Sequence, residues 1–135
     1  MRTSVRRTGG GVVAGLALIV PAIAAAATGP TIHAIKGTPQ TTTVNTAFGH
    51  KLVARVVGRK GNPRVGLLVT FKAPTSGASA TFPNGKTVWS HKTGKKGYVR
   101  VAVTANGTVG SYHVTANLHK PALPTPAVFK LTNAS

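Results

Sequence analysis

Hydrophobic and polar residues alternate one by one through most of the chain after residue 30. A period of two places successive side chains on opposite faces of an extended strand, so that one face can be buried while the other is solvated. In the first clear example Leu52, Ala54 and Val56 share one face, and Lys51 and Arg55 share the other. The other predicted buried faces are Leu67, Val69 and Phe71; Val99, Val101 and Val103; Tyr112, Val114, Ala116 and Leu118; and Phe129 with Leu131.

Shorter stretches of extended character lie between these strands, at 32–36, 43–46, 80–82 and 87–91. Clusters of glycine, proline and asparagine separate the strands, as at 61–63 and 83–85, and such clusters mark turns. No stretch after residue 28 has a convincing helical period. Short strands with a turn at intervals of about ten residues predict an all-β domain built as a two-sheet sandwich.

The first 27 residues follow a different pattern. Three arginines at positions 2, 6 and 7 precede an apolar run at 12–20, and small residues follow Pro21. This order is typical of a secretory signal peptide, whose apolar part is helical and shorter than a membrane span. We expect a signal peptide at 1–27, an exported domain at 28–135 and no mature transmembrane segment, in the envelope (periplasm or cell surface) or secreted. Sec export, twin-arginine export and retention as an uncleaved anchor are alternatives that the sequence leaves open.

Four blocks of the exported part carry a family resemblance: TPQTTTVNTAF, GNPRVGLLVTFKAPTSGASATF, TANGTVGSYHVTANL and PAVFKLTN. In this order and spacing they resemble the bacterial immunoglobulin-like repeats of the invasin/intimin type, over roughly residues 32–133. The resemblance implies an immunoglobulin-like β-sandwich of about 7–9 short strands in a surface or adhesion protein. It also implies that Tyr112 is the tyrosine corner of the sandwich, with its hydroxyl bonded to nearby backbone. The family repeats usually carry Asp or Asn in two turns that here read GRKGNPR and HKTGKKG.

The charge of the chain has only one sign. The 135 residues include 17 Lys and Arg and no Asp or Glu, where average composition predicts about 15 carboxylates. Such a balance bears on partners and solubility rather than on the fold. The exported part keeps 14 of the 17 bases, since three lie in the predicted signal peptide.

The missing carboxylates and cysteines exclude most enzyme chemistry. Without Asp or Glu the chain cannot perform carboxylate acid–base catalysis, hydrolyse glycosides with paired carboxylates or complete a Ser-His-Asp triad. Without Cys it has no cysteine nucleophile. Calcium and magnesium sites prefer carboxylate oxygens, and the five histidines form no tight metal-ligand motif. We therefore predict a protein that is not an enzyme and that uses no metal or other cofactor.

The bases are predicted to gather at one end of the sandwich. If strands 87–91 and 98–104 pair, the loops 58–65, 92–97 and 119–125 meet at that end, which we call the basic tip. If 83–85 is a hairpin turn instead, the loop 92–97 moves to the other end. It would bind anionic polymers by Coulomb attraction and counterion release. Candidate partners are acidic polysaccharide, lipopolysaccharide or teichoic acid, extracellular DNA and polyphosphate, without sequence-specific nucleic-acid recognition because few aromatic side chains are free for stacking. The seven residues of the basic tip are Arg59, Lys60, Arg64, Lys92, Lys95, Lys96 and Lys120.

Other interpretations fit the same composition. A chain without carboxylates lacks the usual route to acid unfolding, so that an acid-adapted structural or adhesion component of an acidophile envelope is the alternative to a polymer binder. Strands at 32–36 and 127–131 could also be unpaired edges that join a fibre. Trp89 either packs at the edge of the core or contacts a ligand beside the basic loops.

Overall fold

The fold consists almost entirely of short strands. A computed structural model describes residues 29–135, so the predicted signal peptide at 1–27 lies outside the described residues. Among residues 29–135, no helix is long and apolar enough to cross a membrane. The described residues form ten strands: β1 (Thr31–Lys36), β2 (Gln40–Thr43), β3 (Leu52–Val57), β4 (Leu68–Lys72), β5 (Ala80–Thr81), β6 (Val88–Lys92), β7 (Tyr98–Val101), β8 (Thr104–Ala105), β9 (Gly110–Leu118) and β10 (Ala127–Ala134).

The strands form two packed layers, as the alternating pattern predicts. One layer is a five-stranded sheet in the order β2-β10-β9-β4-β6, and the other is a three-stranded sheet in the order β1-β3-β7. The two-residue strands β5 and β8 pair separately. All strand pairs are antiparallel except β2 with β10, which run parallel. The described residues therefore form an all-β sandwich, which confirms the predicted fold class.

The core lies between the two sheets and is made of the residues that the alternation assigns to the inner faces. Phe71 is fully buried at its centre, with ring centroids 5.9 Å from Trp89, 6.0 Å from Phe129 and 6.1 Å from Phe82. Trp89 is half-buried against this cluster, as expected of a residue at the edge of the core. Most of the other inward residues are aliphatic, so burial of apolar surface and close packing, rather than polar bonds, stabilise the interior. They include Leu52, Ala54, Val56, Val69, Val99, Val101, Val114, Ala116 and Leu131.

Two sequence-based expectations about strands were wrong. The strand expected at 43–46 lies instead at Gln40–Thr43, because these residues pair with the end of β10 and the chain then turns at Asn45, whose φ is +58°. The expected pairing of strands 87–91 and 98–104 does not occur. β6 pairs with β4, where Trp89 faces Phe71, and β7 pairs with β3 in the other sheet.

The predicted edge strands are also only partly as expected. β1 has a strand on one side only, so it is an edge of the three-stranded sheet. The stretch 127–131 belongs to β10, which lies inside the five-stranded sheet between β2 and β9. In the middle of β10 the backbone N–H of Lys130 donates to the Thr38 hydroxyl, 2.7 Å away.

A buried asparagine fixes the end of the sandwich that is distant from the basic tip. The side-chain Nδ2 of Asn133 donates to the backbone carbonyls of Ser79 and Thr108 and to the Asn106 side chain, at 2.9 to 3.1 Å. Its Oδ1 accepts a bond of 2.8 Å from the Tyr112 hydroxyl. Asn133 is fully buried and Tyr112 is 7% exposed, so these bonds satisfy polar atoms that water does not reach.

This arrangement corrects the expectation for the tyrosine corner. Tyr112 has the structural role that the resemblance implies, but its hydroxyl donates to the side chain of Asn133 and not to nearby backbone. The difference arises because Asn133 lies opposite Gly110 in the β9–β10 pair, close enough for the phenol to reach. Burial raises the pKa of Tyr112 from 10.0 to about 12, and the bond to Asn133 opposes part of that rise.

The raised pKa of Tyr112 predicts a loss of stability in strong alkali. Below pH 10 the phenol is neutral in the folded and unfolded states, and its contribution is complete. Between pH 10 and about 12 the unfolded phenol ionises first, so the free energy of unfolding should fall by up to about 2–3 kcal/mol. Urea unfolding of the wild type and of Tyr112→Phe across this range measures the effect.

Tyr112→Phe serves as the matched control because it loses the bond to Asn133 but has no phenol to titrate. It should be about 1–3 kcal/mol less stable than the wild type at pH 7. That difference should shrink as the pH rises from 10 to 12, since every other ionisable group is common to both proteins and its effect cancels. Two stability curves that stay parallel over this range would show that the buried phenol does not control alkaline stability.

Candidate anion-binding tip

The first two loops of the basic tip are joined by one threonine. The Thr93 hydroxyl donates to the Arg64 carbonyl at 2.6 Å and accepts from the Leu67 N–H at 3.1 Å. The backbone of Thr93 bonds in addition to Gly66 and Leu67, at 2.8 and 2.9 Å. Thr93 is 3% exposed, so this contact is shielded from water. The loops 58–67 and 93–97 are therefore joined by four hydrogen bonds of Thr93.

A tight turn shapes the second loop. Residues Lys95–Gly97 form a short 3-10 turn, closed by a bond from the Gly97 N–H to the Gly94 carbonyl at 3.0 Å. Gly97 has a φ of +79°, and a Cβ there would overlap the backbone carbonyl of Val56. Glycine is required at this position because the turn lies directly on the end of β3. Lys96, just before it, also adopts a left-handed conformation, with a φ of +62°.

The third loop reaches the same end of the sandwich. The His119 N–H donates to the Leu68 carbonyl at 2.9 Å, which places the end of β9 beside the start of β4. The loop then folds back, and the Asn117 side chain bonds both backbone groups of Leu123 at 2.9 Å. The loops at 58–67, 93–97 and 119–126 thus lie at one end, although the strand pairing from which we predicted this was wrong. At that end the loop 93–97 connects β6 of the five-stranded sheet to β7 of the three-stranded sheet.

The structure places the seven predicted residues at this end, all with exposed side chains. They do not all point the same way. Lys92 is the last residue of β6 and pairs with Leu68, on the outer face of the five-stranded sheet. Lys95 and Lys96 lie on the turn beside the three-stranded sheet, and Lys120 follows β9. The tip is therefore a ridge of cations across the end of the sandwich rather than a closed pocket.

Sequence reasoning missed two further cations next to the tip. The guanidinium carbon of Arg55 lies 5.1 Å from the centroid of the Tyr98 ring, and that of Arg100 lies 5.0 Å from it. The Arg55 Nε donates to the Lys96 carbonyl at 2.8 Å, which connects this group to the turn. The alternation does place all three side chains on outward positions. The three side chains lie together because β3 pairs with β7, and the sequence pattern did not predict that pairing.

Two other surface features lie near the tip. His91 stacks on Trp89, with centroids 5.3 Å apart and planes 11° apart, so Trp89 is covered on one face. A shallow cavity of about 420 Å³ lies on the outer face of the five-stranded sheet and is lined by Thr70, Lys72 and Thr115 among others.

Within residues 29–135, no group of three or more His, Cys, Asp or Glu side chains lies close enough together to hold a metal ion.

No protein-family model matches the chain, and no curated protein matches it. Solved structures of three bacterial proteins are similar in fold. Domains 4 and 5 of the S-layer protein SbsC superpose with a TM-score of 0.52 at 14% identity, over 78% of this chain and 54% of that one. The D0–D1 domain of intimin gives a TM-score of 0.52 at 23% identity, over 80% of this chain and 50% of that one.

Invasin, a bacterial integrin-binding protein, gives a TM-score of 0.50 at 18% identity, over 78% of this chain and 19% of that one. The chain thus spans about half the length of the SbsC and intimin structures and about a fifth of invasin. These likenesses match the family to which the four sequence blocks point. Residues 29–135 have the fold of the bacterial immunoglobulin-like domains of the invasin/intimin type.

Proposed function

We propose that this protein is an exported, non-catalytic module of the cell envelope or extracellular space that binds anionic polymers through the basic tip. The observation that carries the proposal is the gathering of seven exposed Lys and Arg residues at one end of a sandwich whose chain has no carboxylate. No side chain of the protein can neutralise these charges, so the countercharge must come from the C-terminus, solvent ions or a partner. A polymer with many phosphate, sulfate or carboxylate groups is the partner that releases most counterions on binding.

The frame of the tip supports this proposal. The Thr93 contacts and the turn at Lys95–Gly97 fix the backbones from which the basic side chains extend. A fixed backbone reduces the ordering that binding requires, while long side chains still adapt to a flexible polymer. The ridge shape fits an extended chain better than a small molecule, which requires a concave site. The polymers available at a bacterial surface include acidic polysaccharide, lipopolysaccharide, teichoic acid, polyphosphate and extracellular DNA.

The proposed envelope location rests on two further observations. The first 27 residues have the pattern of a secretory signal peptide. The proteins of similar fold include an S-layer protein and an integrin-binding protein. An adhesive role is consistent with both, with the contact supplied by charge rather than by a protein receptor.

The polymer-binding proposal predicts a steep and residue-specific salt dependence. Lys92→Gln, Lys95→Gln and Lys96→Gln combined should weaken binding to fluorescein-labelled polyphosphate, because three phosphate contacts are lost. The slope of log K against log salt should become shallower by about 2–3, if each contact contributes as it does for DNA. Fluorescence anisotropy at several salt concentrations measures both quantities.

A matched variant separates the tip from overall charge. Lys72→Gln, Lys86→Gln and Lys130→Gln combined remove the same charge from exposed positions outside the three tip loops. This variant should keep most of the affinity of the wild type. Equal losses in the two triple variants, or equally weak binding by the wild type and the tip variant, would rule out a dedicated tip.

An acid-adapted structural component is the second candidate, favoured by the exposure of all five histidines. Buried neutral histidines and paired carboxylates are the groups that usually unfold a protein in acid. Within residues 29–135 every histidine side chain is exposed, and the chain has no carboxylate side chain to protonate. Neither of these two kinds of group is therefore available to unfold residues 29–135 in acid.

The melting temperature should consequently change little between pH 7 and pH 3. At physiological salt, where repulsion between surface cations is screened, we expect a change within about 5 °C, which corresponds to about 1 kcal/mol for a domain of this size. Calorimetry at 0.5-unit pH steps measures it, and a parallel series at low salt isolates the contribution of charge repulsion. A sharp fall between pH 6 and pH 3 at physiological salt would contradict this candidate function.

A further inference from the structure

The outer face of the three-stranded sheet carries a second group of cations. The β-sheet register places His33, Arg55 and Tyr98 in one row across the three strands. Lys36, Val53 and Arg100 form the neighbouring row. Three of the six residues, Lys36, Arg55 and Arg100, carry a positive charge, with at least one charge in each row.

Val53, in the second row, is shielded from water although it faces outward. It alternates outward, away from Leu52 and Ala54, and it does not belong to the core cluster. It is nevertheless only 7% exposed. Its cross-strand partners are Lys36 and Arg100, whose long aliphatic stems can cover an apolar neighbour while the charged ends stay in water. The guanidinium carbon of Arg100 lies near the same sheet surface, 5.0 Å from the Tyr98 ring centroid.

Tyr98 holds both guanidinium groups in place. Arg55 and Arg100 lie 5.1 and 5.0 Å from its ring centroid, within the range of cation–π attraction. The Arg55 Nε donates to the Lys96 carbonyl, so the terminal amino groups of that fork are not needed for this bond. Contacts of this kind reduce the side-chain freedom that ligand binding would otherwise have to remove.

The two arginines also repel each other. Since both lie near one ring, their guanidinium carbons are no more than about 10 Å apart. That is comparable to the screening length at physiological salt, so the repulsion is only partly screened. Because the chain has no Asp or Glu, no carboxylate side chain relieves it. An external anion that lies beside Tyr98 and close to both forks would be attracted by both.

We propose that Arg55, Tyr98 and Arg100 form an arginine clamp that binds the phosphate groups of an anionic polymer. The planar guanidinium fork matches phosphate through paired N–H···O bonds, in a way that the point charge of lysine does not. Two forks need more acceptor oxygens than a single carboxylate offers, and a phosphoryl group or two successive phosphates supply them. The clamp deepens the proposed function, since it adds a geometric subsite for phosphate beside the tip, to which the Arg55–Lys96 bond connects it.

The test uses inorganic tripolyphosphate as the probe and isothermal titration calorimetry as the measurement. Arg55→Gln with Arg100→Gln should reduce affinity about tenfold or more, because charge-assisted hydrogen bonds are lost. Lys72→Gln with Lys130→Gln, which removes two charges from the five-stranded sheet, should reduce it less than about threefold. Equal losses in these two variants would show that net charge alone accounts for binding and would overturn the clamp.

Two further variants test the geometry of the clamp. Arg55→Lys with Arg100→Lys keeps the charge and loses the forks, and Tyr98→Leu keeps both arginines and loses the ring. Each should weaken tripolyphosphate binding about fivefold, and the melting temperature of each verifies that the domain is folded. In NMR spectra of the wild type, the Nε–Hε signals of Arg55 and Arg100 should shift on titration. Unchanged signals, or full affinity in the lysine variant, would overturn the proposal.

The same probe separates the clamp from the tip. If only the Lys92, Lys95 and Lys96 variant loses affinity, the tip proposal stands and the clamp is wrong. If only the Arg55 and Arg100 variant loses affinity, the clamp stands without the tip. Citrate provides the chemical control, because it carries up to three negative charges on carboxylates. Binding of citrate as tight as that of tripolyphosphate would overturn the assignment to phosphate.

Discussion

No cation can be buried in this protein together with a carboxylate partner, because the chain has no Asp or Glu. An unpaired buried charge is too costly to tolerate, so every lysine and arginine must keep its charged end in water. The hydrogen bonds of buried side chains are therefore made by neutral groups. The buried polar residues within 29–135 are Ser79, Thr93 and Asn133, each of which makes hydrogen bonds to backbone or to another neutral side chain.

These neutral groups act at the two ends of the sandwich. At one end Asn133 connects the last strand to Tyr112 and to the loops that contain Ser79 and Thr108. At the other end Thr93 connects the loops 58–67 and 93–97. The body between them is held by apolar packing of the two sheets. A frame of this kind does not depend on ion pairs, so changes of salt and moderate changes of pH act on the surface charges and not on the interactions that define the fold.

The sequence predicts the two layers well because burial alone determines them. Inward positions such as Val101, Val114 and Phe129 follow from a period of two, whatever the strand order. It predicts strand pairing poorly, because the pairing of β6 with β4 depends on the cross-strand contact between Trp89 and Phe71, which no local pattern encodes. The loops at 58–67 and 93–97 still lie together at one end, because this arrangement does not depend on whether β6 pairs with β4 or with β7. The Arg55–Arg100 pair depends on the register of β3 with β7 and therefore could not be found from the alternation alone.

The one-sided charge links stability to binding. Repulsion among the surface cations opposes folding at every pH at which lysine and arginine are charged, and salt relieves it only in part. An anion that binds the folded surface relieves the same repulsion locally, and it stabilises the folded state in proportion to its occupancy. The unfolded chain spreads its charges farther apart and attracts a single anion less strongly. For a chain without internal countercharge, an anionic partner of the proposed kind would supply the opposite charges that other proteins encode in their own sequence, and the two arginines near Tyr98 are one place where it would do so.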